Sequence, residues 1–160
     1  MSAPARLAIV VCTYNRSDSL IQTLTSLYDC GDDGRERVDV LVVVNNCTDD
    51  TLARLAAFKA AHARDDLNLD WIEEPRAGKS YALNAAIMHT THDALCFIDD
   101  DQVVENGYLA RLLEGMDAHS DDAIYCGKSG PCPPAASAEW PVTPEDWSPR
   151  PRWCAPPSRG

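Results

Sequence analysis

Leu95-Cys96-Phe97-Ile98-Asp99-Asp100-Asp101 joins a short apolar run directly to three consecutive carboxylates. A buried strand followed at once by acids places those acids on the rim of a sheet. Open α/β sheets bind their ligands there, beyond the carboxyl ends of the strands. Three adjacent like charges resist full ionisation unless a cation or hydrogen-bond donors compensate them. Oxygen donors without neighbouring His or Cys suit a hard divalent ion, magnesium or manganese, better than zinc. Asp99 and Asp101, two apart, are placed to share one ion and a diphosphate. A solvated acidic turn capping the next helix would use the same residues, so this stretch alone leaves both readings open.

Upstream, Arg6–Cys12 is a nearly unbroken apolar run, as expected of a strand buried on both faces. The polar loop Thr13-Tyr14-Asn15-Arg16 follows, and Ser17 or Asp18 can cap the helix after it. That helix carries Leu20, Leu24, Leu27 and Tyr28 at helical spacing and fades at Cys30-Gly31. Val38–Val44 is a second buried strand ending in Asn45-Asn46-Cys47-Thr48-Asp49-Asp50-Thr51. A helix is expected from about Asp49 to Arg64, with Leu52, Leu55, Ala56 and Lys59 on one side. Leu67–Ile72 reads as a weaker third strand and Glu73–Gly78 as a loop. Lys79–His89 reads as a helix with Leu83, Ala86 and Ile87 inward.

Beyond the fourth strand, Ala94–Ile98, a helix from Glu105 to His119 bears Leu109, Leu112, Leu113 and Met116. Ala123–Cys126 is the expected fifth strand. Strands alternating with helices imply an α/β fold, a mostly parallel sheet with helices on both faces. Right-handed crossovers then bring Thr13–Arg16, Asn45–Asp49 and Asp99–Asp101 to one rim. From Pro131 to Gly160 the chain holds most of its 11 prolines and three of its four tryptophans, without periodicity. Such a segment builds no core element of its own.

The 160 residues carry a net charge of −11, which argues against nucleic acid as a partner, since phosphate backbones need clustered Lys and Arg. No apolar run approaches the ~20 residues that span a bilayer, and the N-terminus leads straight into a strand. The cytoplasm is therefore the expected location, with the inner face of the membrane as the alternative. Seven cysteines without a leader do not read as a disulfide framework. Cys126, Cys132 and Cys154 form no C-x-x-C pair, which argues against zinc.

Four pieces in register resemble family 2 glycosyltransferases of the GT-A fold. They are Val11–Arg16, Asn45–Thr51, Gly78-Lys79-Ser80-Tyr81-Ala82-Leu83-Asn84 and Phe97–Asp101. The resemblance covers roughly residues 6 to 130. It implies residues 1–130 as a nucleotide-sugar-binding domain and 131–160 as the start of a truncated acceptor region. It also implies a UDP-, GDP- or dTDP-sugar donor, Mn2+ or Mg2+, and inverting transfer to an acceptor hydroxyl.

In that family the acids are the DXD motif. By the match, Asp101 would hold the metal, with Asp99 as a second ligand, and Asp99 and Asp100 would bind the ribose or the metal's waters. Thr13, Tyr14, Asn15 and Arg16 fall to the substrate, Thr13 and Asn15 at positions that touch the nucleoside. Where the family has an acid after the second strand, Val44 stands, so Asn45 is the substitute contact.

Lys79, opening a helix, could approach a phosphate. It is no P-loop lysine, because Glu73 occupies the place of the first P-loop glycine. Asn84 could brace the loop or touch ligand, and His89 and His92 receive no role. The general base is unassigned. Glu139, Glu145 and Asp146 remain downstream, none in a strand–helix frame.

Two readings compete. One is an active transferase whose acceptor site is completed by the tail or by an oligomer. The other is a nucleotide-sugar and metal-binding module without turnover. A dinucleotide-dependent dehydrogenase is set aside because no glycine lies between Val11 and Asp29. A nucleotidyltransferase is set aside because the first loop is neither glycine-rich nor basic.

Overall fold

The computed structural model describes residues 5–31, 34–63 and 67–118. The expected fifth strand, the proline-rich tail with Glu139, Glu145 and Asp146, and Cys126, Cys132 and Cys154 lie outside the described residues. The sheet and the site belong to one compact unit ending at Glu114.

In chain order the elements are β1 (Leu7–Thr13), α1 (Ser17–Asp29), a 3-10 turn (Arg35–Arg37), β2 (Val38–Asn45), α2 (Thr51–Ala61), β3 (Asn68–Glu74), α3 (Lys79–His89), β4 (Ala94–Asp99) and α4 (Tyr108–Ala118). The strands form one parallel sheet in the order β3-β2-β1-β4. The first two crossovers step one way from β1, and the third returns past it to β4. With right-handed connections, α1 and α2 must cover one face and α3 the other.

Packing follows that rule. Val10, Leu41 and Val43 share a cluster with Ala82 and Ala86 of α3. Ile9, Val11, Val40 and Val42 alternate to the opposite face and are almost wholly buried. On that face Trp71 of β3 lies under Lys59 of α2, and Tyr28 of α1 meets Phe58 of α2 edge-on at 5.2 Å. Leu20, Leu24, Leu27 and Tyr28 are all buried, as their spacing predicts.

Several expectations need correction. Ile87 is half exposed, and α3 instead faces the sheet through Ala82 and Ala86, whose small side chains sit four apart on one helix face. On α2 the buried residues are Thr51, Leu55 and Phe58, so Ala56 is exposed. β4, expected to be buried, is an edge among the described strands. Of its residues only Ile98 is buried, and Phe97 is half exposed.

Ser17 is already helical and Arg16 is the N-cap, so neither Ser17 nor Asp18 caps α1. α2 begins at Thr51 because the Asp49 carboxylate receives the Thr51 amide at 3.2 Å, closing the turn before it. β3 runs on to Glu74 because Glu73 and Glu74 pair with Val44 and Asn45. α4 starts at Tyr108 rather than Glu105, since Gly107 holds a φ of 76° that a helix cannot contain.

Candidate functional site

The register fixes the rim. Thr13 pairs with Val44, Cys12 with Asp99 and Asn45 with Glu74, so all four strands end together. The sheet order reverses between β1 and β4, which makes their carboxyl ends the topological switch point where such sheets bind ligands. An open cleft of about 320 Å³ lies there. Every residue that the sequence assigns to the site lines it except Asn15, and Cys12 and Ala82 join them. A second cavity beside Cys30, Gly31 and Asn106 has no charged residue in its lining.

The three acids differ in burial and in partners. Asp100 is buried, with Oδ2 accepting the Thr13 hydroxyl at 2.8 Å and Oδ1 facing Arg16 Nη1 at 3.5 Å. Asp101 is exposed and pairs with Arg16 at 3.2 Å. Asp99 pairs with Lys79 Nζ at 2.5 Å, both side chains more than half exposed. Hydrogen bonding to Asp99 raises the Lys79 pKa against a smaller opposing effect of burial, so the amine stays charged. Cys12 lies beneath, and burial pushes its thiol up to about 11 despite the nearby lysine. It is a protonated wall of the cleft, not a nucleophile.

Among the described residues, no three His, Cys, Asp or Glu side chains converge as a metal cage. That arrangement still suits magnesium or manganese. Such ions are commonly held by one or two carboxylates, with substrate phosphates completing the shell. Asp99 and Asp101, exposed and free of buried partners, offer that incomplete oxygen set.

The neighbouring loops are held by the remaining polar residues. Asn15 has a φ of 50°, and its Oδ1 accepts the Thr48 and Asp49 amides at 2.7 and 3.3 Å. It fastens the β1–α1 loop to the β2–α2 loop, and Ser17 Oγ reinforces this by donating to Asp50 at 2.6 Å.

Asn45 is likewise committed. Its Nδ2 donates to the carbonyls of Glu74 and Arg76 at 3.1 and 2.7 Å, and its Oδ1 accepts the Gly78 amide at 2.9 Å. The amide that sequence offers as a base contact thus shapes the β3–α3 loop. Glu74 and Arg76, which the motifs leave unmarked, complete it. Arg76 donates Nε and Nη2 to the two Glu74 oxygens at 2.9 and 2.8 Å and lies over the Tyr81 ring. The Glu-x-Arg spacing was the available signal. His92 instead bonds Asp39 at the other end of the sheet.

A parallel sheet of this order, with a charged cleft at its switch point, is that of an α/β protein of the GT-A fold. The chain belongs to glycosyl transferase family 2, whose profile matches residues 8–143. It is similar to the succinoglycan biosynthesis protein ExoM of Rhizobium meliloti (strain 1021), 34% identical over 106 residues, 66% of this chain and 33% of that protein.

Among solved structures, it is similar to the mannosyltransferase PcManGT from Pyrobaculum calidifontis in complex with GDP-Man and Mn2+. That likeness has a TM-score of 0.64 at 27% identity, over 78% of this chain and 35% of the other. S. aureus TarS 1-349 in complex with UDP-GlcNAc shares the fold, with a TM-score of 0.59 at 24% identity over 72% and 32% of the two chains. The chain thus spans about a third of the length of these relatives. No helix among the described residues is long and apolar enough to cross a membrane.

Proposed function

We propose that this chain binds a nucleotide sugar in the rim cleft and serves transfer of the sugar, with inversion, to an acceptor hydroxyl. The observation that carries this reading is the joining of Thr13, Arg16, Lys79 and Asp99–Asp101 in one cleft at the β1/β4 switch point. Membership of the family supports it, as do the GDP-Man and UDP-GlcNAc held by structures of like fold.

On this reading the nucleoside lies over Thr13 and Tyr14, between the loops that Asn15 and Asn45 hold in place. The diphosphate lies toward Lys79 at the first turn of α3, where charge and helix dipole favour anions. Asp99 and Asp101 would hold a divalent ion, which supplies charge to offset the departing diphosphate. Asp100 fixes the turn that carries both. The acceptor oxygen forms a bond to the anomeric carbon as the bond to the diphosphate breaks, and the hydroxyl proton passes to a general base. That base is assigned to the part of the protein that binds the acceptor, consistent with residues 1–130 as the donor domain.

A second reading is a donor-binding module without turnover of its own. Calorimetric titration with UDP, GDP and dTDP, with and without Mn2+, tests the donor site and identifies the base. Metal-dependent binding of one nucleotide, lost in Asp101→Ala, is the expected result. No binding of any nucleotide would overturn the site. Turnover of the matching nucleotide sugar to free nucleoside diphosphate, in the presence of simple sugar acceptors, separates the first reading from the second.

A further inference from the structure

The acids of the cleft are already neutralised in part from within. Lys79 sits on Asp99, and Arg16 sits on Asp101 and Asp100. The two pairings with the outer acids are exposed, so solvent screens them and each is weak enough to be exchanged. The Thr13–Asp100 bond is buried and stays. Arg16 also faces the buried Asp100, whereas Lys79 pairs with exposed Asp99, so Lys79 can leave one oxygen anion for another at small cost. It also stands at the first residue of α3, facing the same cleft.

Resting on the donor-site reading above, we propose that Lys79 is a placeholder cation for Asp99. Its ammonium holds the carboxylate that a divalent ion would need. When a nucleoside diphosphate enters, Lys79 transfers to the phosphate and Asp99 is freed. Nucleotide and metal then bind with positive coupling, and part of that coupling runs through one side chain.

The arrangement makes an unusual sign prediction. Removing Lys79 strengthens metal binding to the nucleotide-free protein, because a competitor for Asp99 is gone. The same change weakens nucleotide binding without metal, because a phosphate contact is gone. Linkage requires the factor by which nucleotide raises metal affinity to equal the factor by which metal raises nucleotide affinity. Both factors should fall together in the variant.

The test is Mn2+ binding to the 160-residue chain, followed by the electron paramagnetic signal of free Mn2+. It is run with and without the nucleoside diphosphate that the wild type binds, and circular dichroism controls for folding. Lys79→Met is expected to bind Mn2+ alone about fivefold more tightly than wild type, the scale an exposed ion pair supports. The nucleotide-induced gain in Mn2+ affinity should shrink by a similar factor.

Lys79→Arg should resemble wild type. Arg54→Met, which removes an equal charge paired with Asp18 rather than with the cleft acids, should leave Mn2+ affinity unchanged. Mn2+ affinity that is unchanged or weaker in Lys79→Met overturns the placeholder role, even where wild type binds Mn2+ and nucleotide together. An equal gain in Arg54→Met overturns it too, by making the effect one of net charge. Failure of wild type to bind any nucleotide with Mn2+ is a different result, and it overturns the donor site itself.

Discussion

Thr13 at the end of β1 donates its hydroxyl to the buried carboxylate of Asp100 at 2.8 Å, across 87 positions of sequence. One bond thus locks the acidic turn after β4 to the central strand of the sheet. Thr13→Val keeps the shape and removes the donor, leaving a buried carboxylate oxygen unpaired. A loss of about 1–3 kcal/mol in urea unfolding is expected. Thr13→Ser keeps the hydroxyl and should cost about 0.8 kcal/mol, the value of one buried methyl group. Equal losses in the two variants would show that the methyl group, not the bond, matters.

Asn45 provides a second expectation. Its side chain is buried and directs both amide hydrogens at backbone carbonyls. Asn45→Asp removes both donors and sets a carboxylate against the same two carbonyl oxygens. Urea denaturation should show a loss of about 1–3 kcal/mol. Because the loop it shapes leads into Lys79, nucleotide affinity should fall as well. A variant with full stability but weakened nucleotide binding would instead make Asn45 a direct contact.

Much of this was legible in the sequence. The runs at Arg6–Cys12 and Val38–Val44 are continuous because both strands are covered on both faces, and such runs can be read without tertiary knowledge. The convergence of three loops followed from strand–helix alternation and crossover handedness. What the sequence did not carry was direction. Asp99, Asp100 and Asp101 are identical letters, yet one is buried on Thr13 and the others face different cations. Nor did it show that Asn45 bonds the β3–α3 loop as well as lining the cleft. An amide at a strand end can serve ligand or backbone, and the bonds to a loop some thirty residues on exist only in the folded chain. Ile87 was misplaced because α3 carries apolar residues around most of its surface, so helical spacing alone could not pick the face.

Glu74 predicts an acid response. Paired hydrogen bonds from the Arg76 side chain, then the Arg76 amide, hold its carboxyl down at about 2 from an ordinary 4.5. A depressed folded value means that the folded state binds the proton less readily than the unfolded chain. The resulting stabilisation is complete above about pH 4.5 and fades as pH falls toward 2. Glu74→Gln should lower the urea midpoint at neutral pH and flatten its decline through that window. An unchanged slope would mean that other carboxylates govern the acid limb.

Gly78 carries the last expectation, because it is where β3's exit becomes α3. Its φ of 136° and ψ of 136° form a backbone conformation that residues with a Cβ rarely adopt. A Cβ there would meet Tyr81 Cδ2 at 3.4 Å, an ordinary contact, so the cost of Gly78→Ala is backbone strain rather than collision. About 1–3 kcal/mol is expected. The chain can avoid that cost only by turning the first residue of α3, which is Lys79. Nucleotide affinity should therefore fall in step with stability, and Lys79 should lose its grip on Asp99. Mn2+ affinity without nucleotide would then rise, as in Lys79→Met. Strain that appeared in unfolding but left both affinities untouched would show that the loop absorbs the turn before it reaches the lysine.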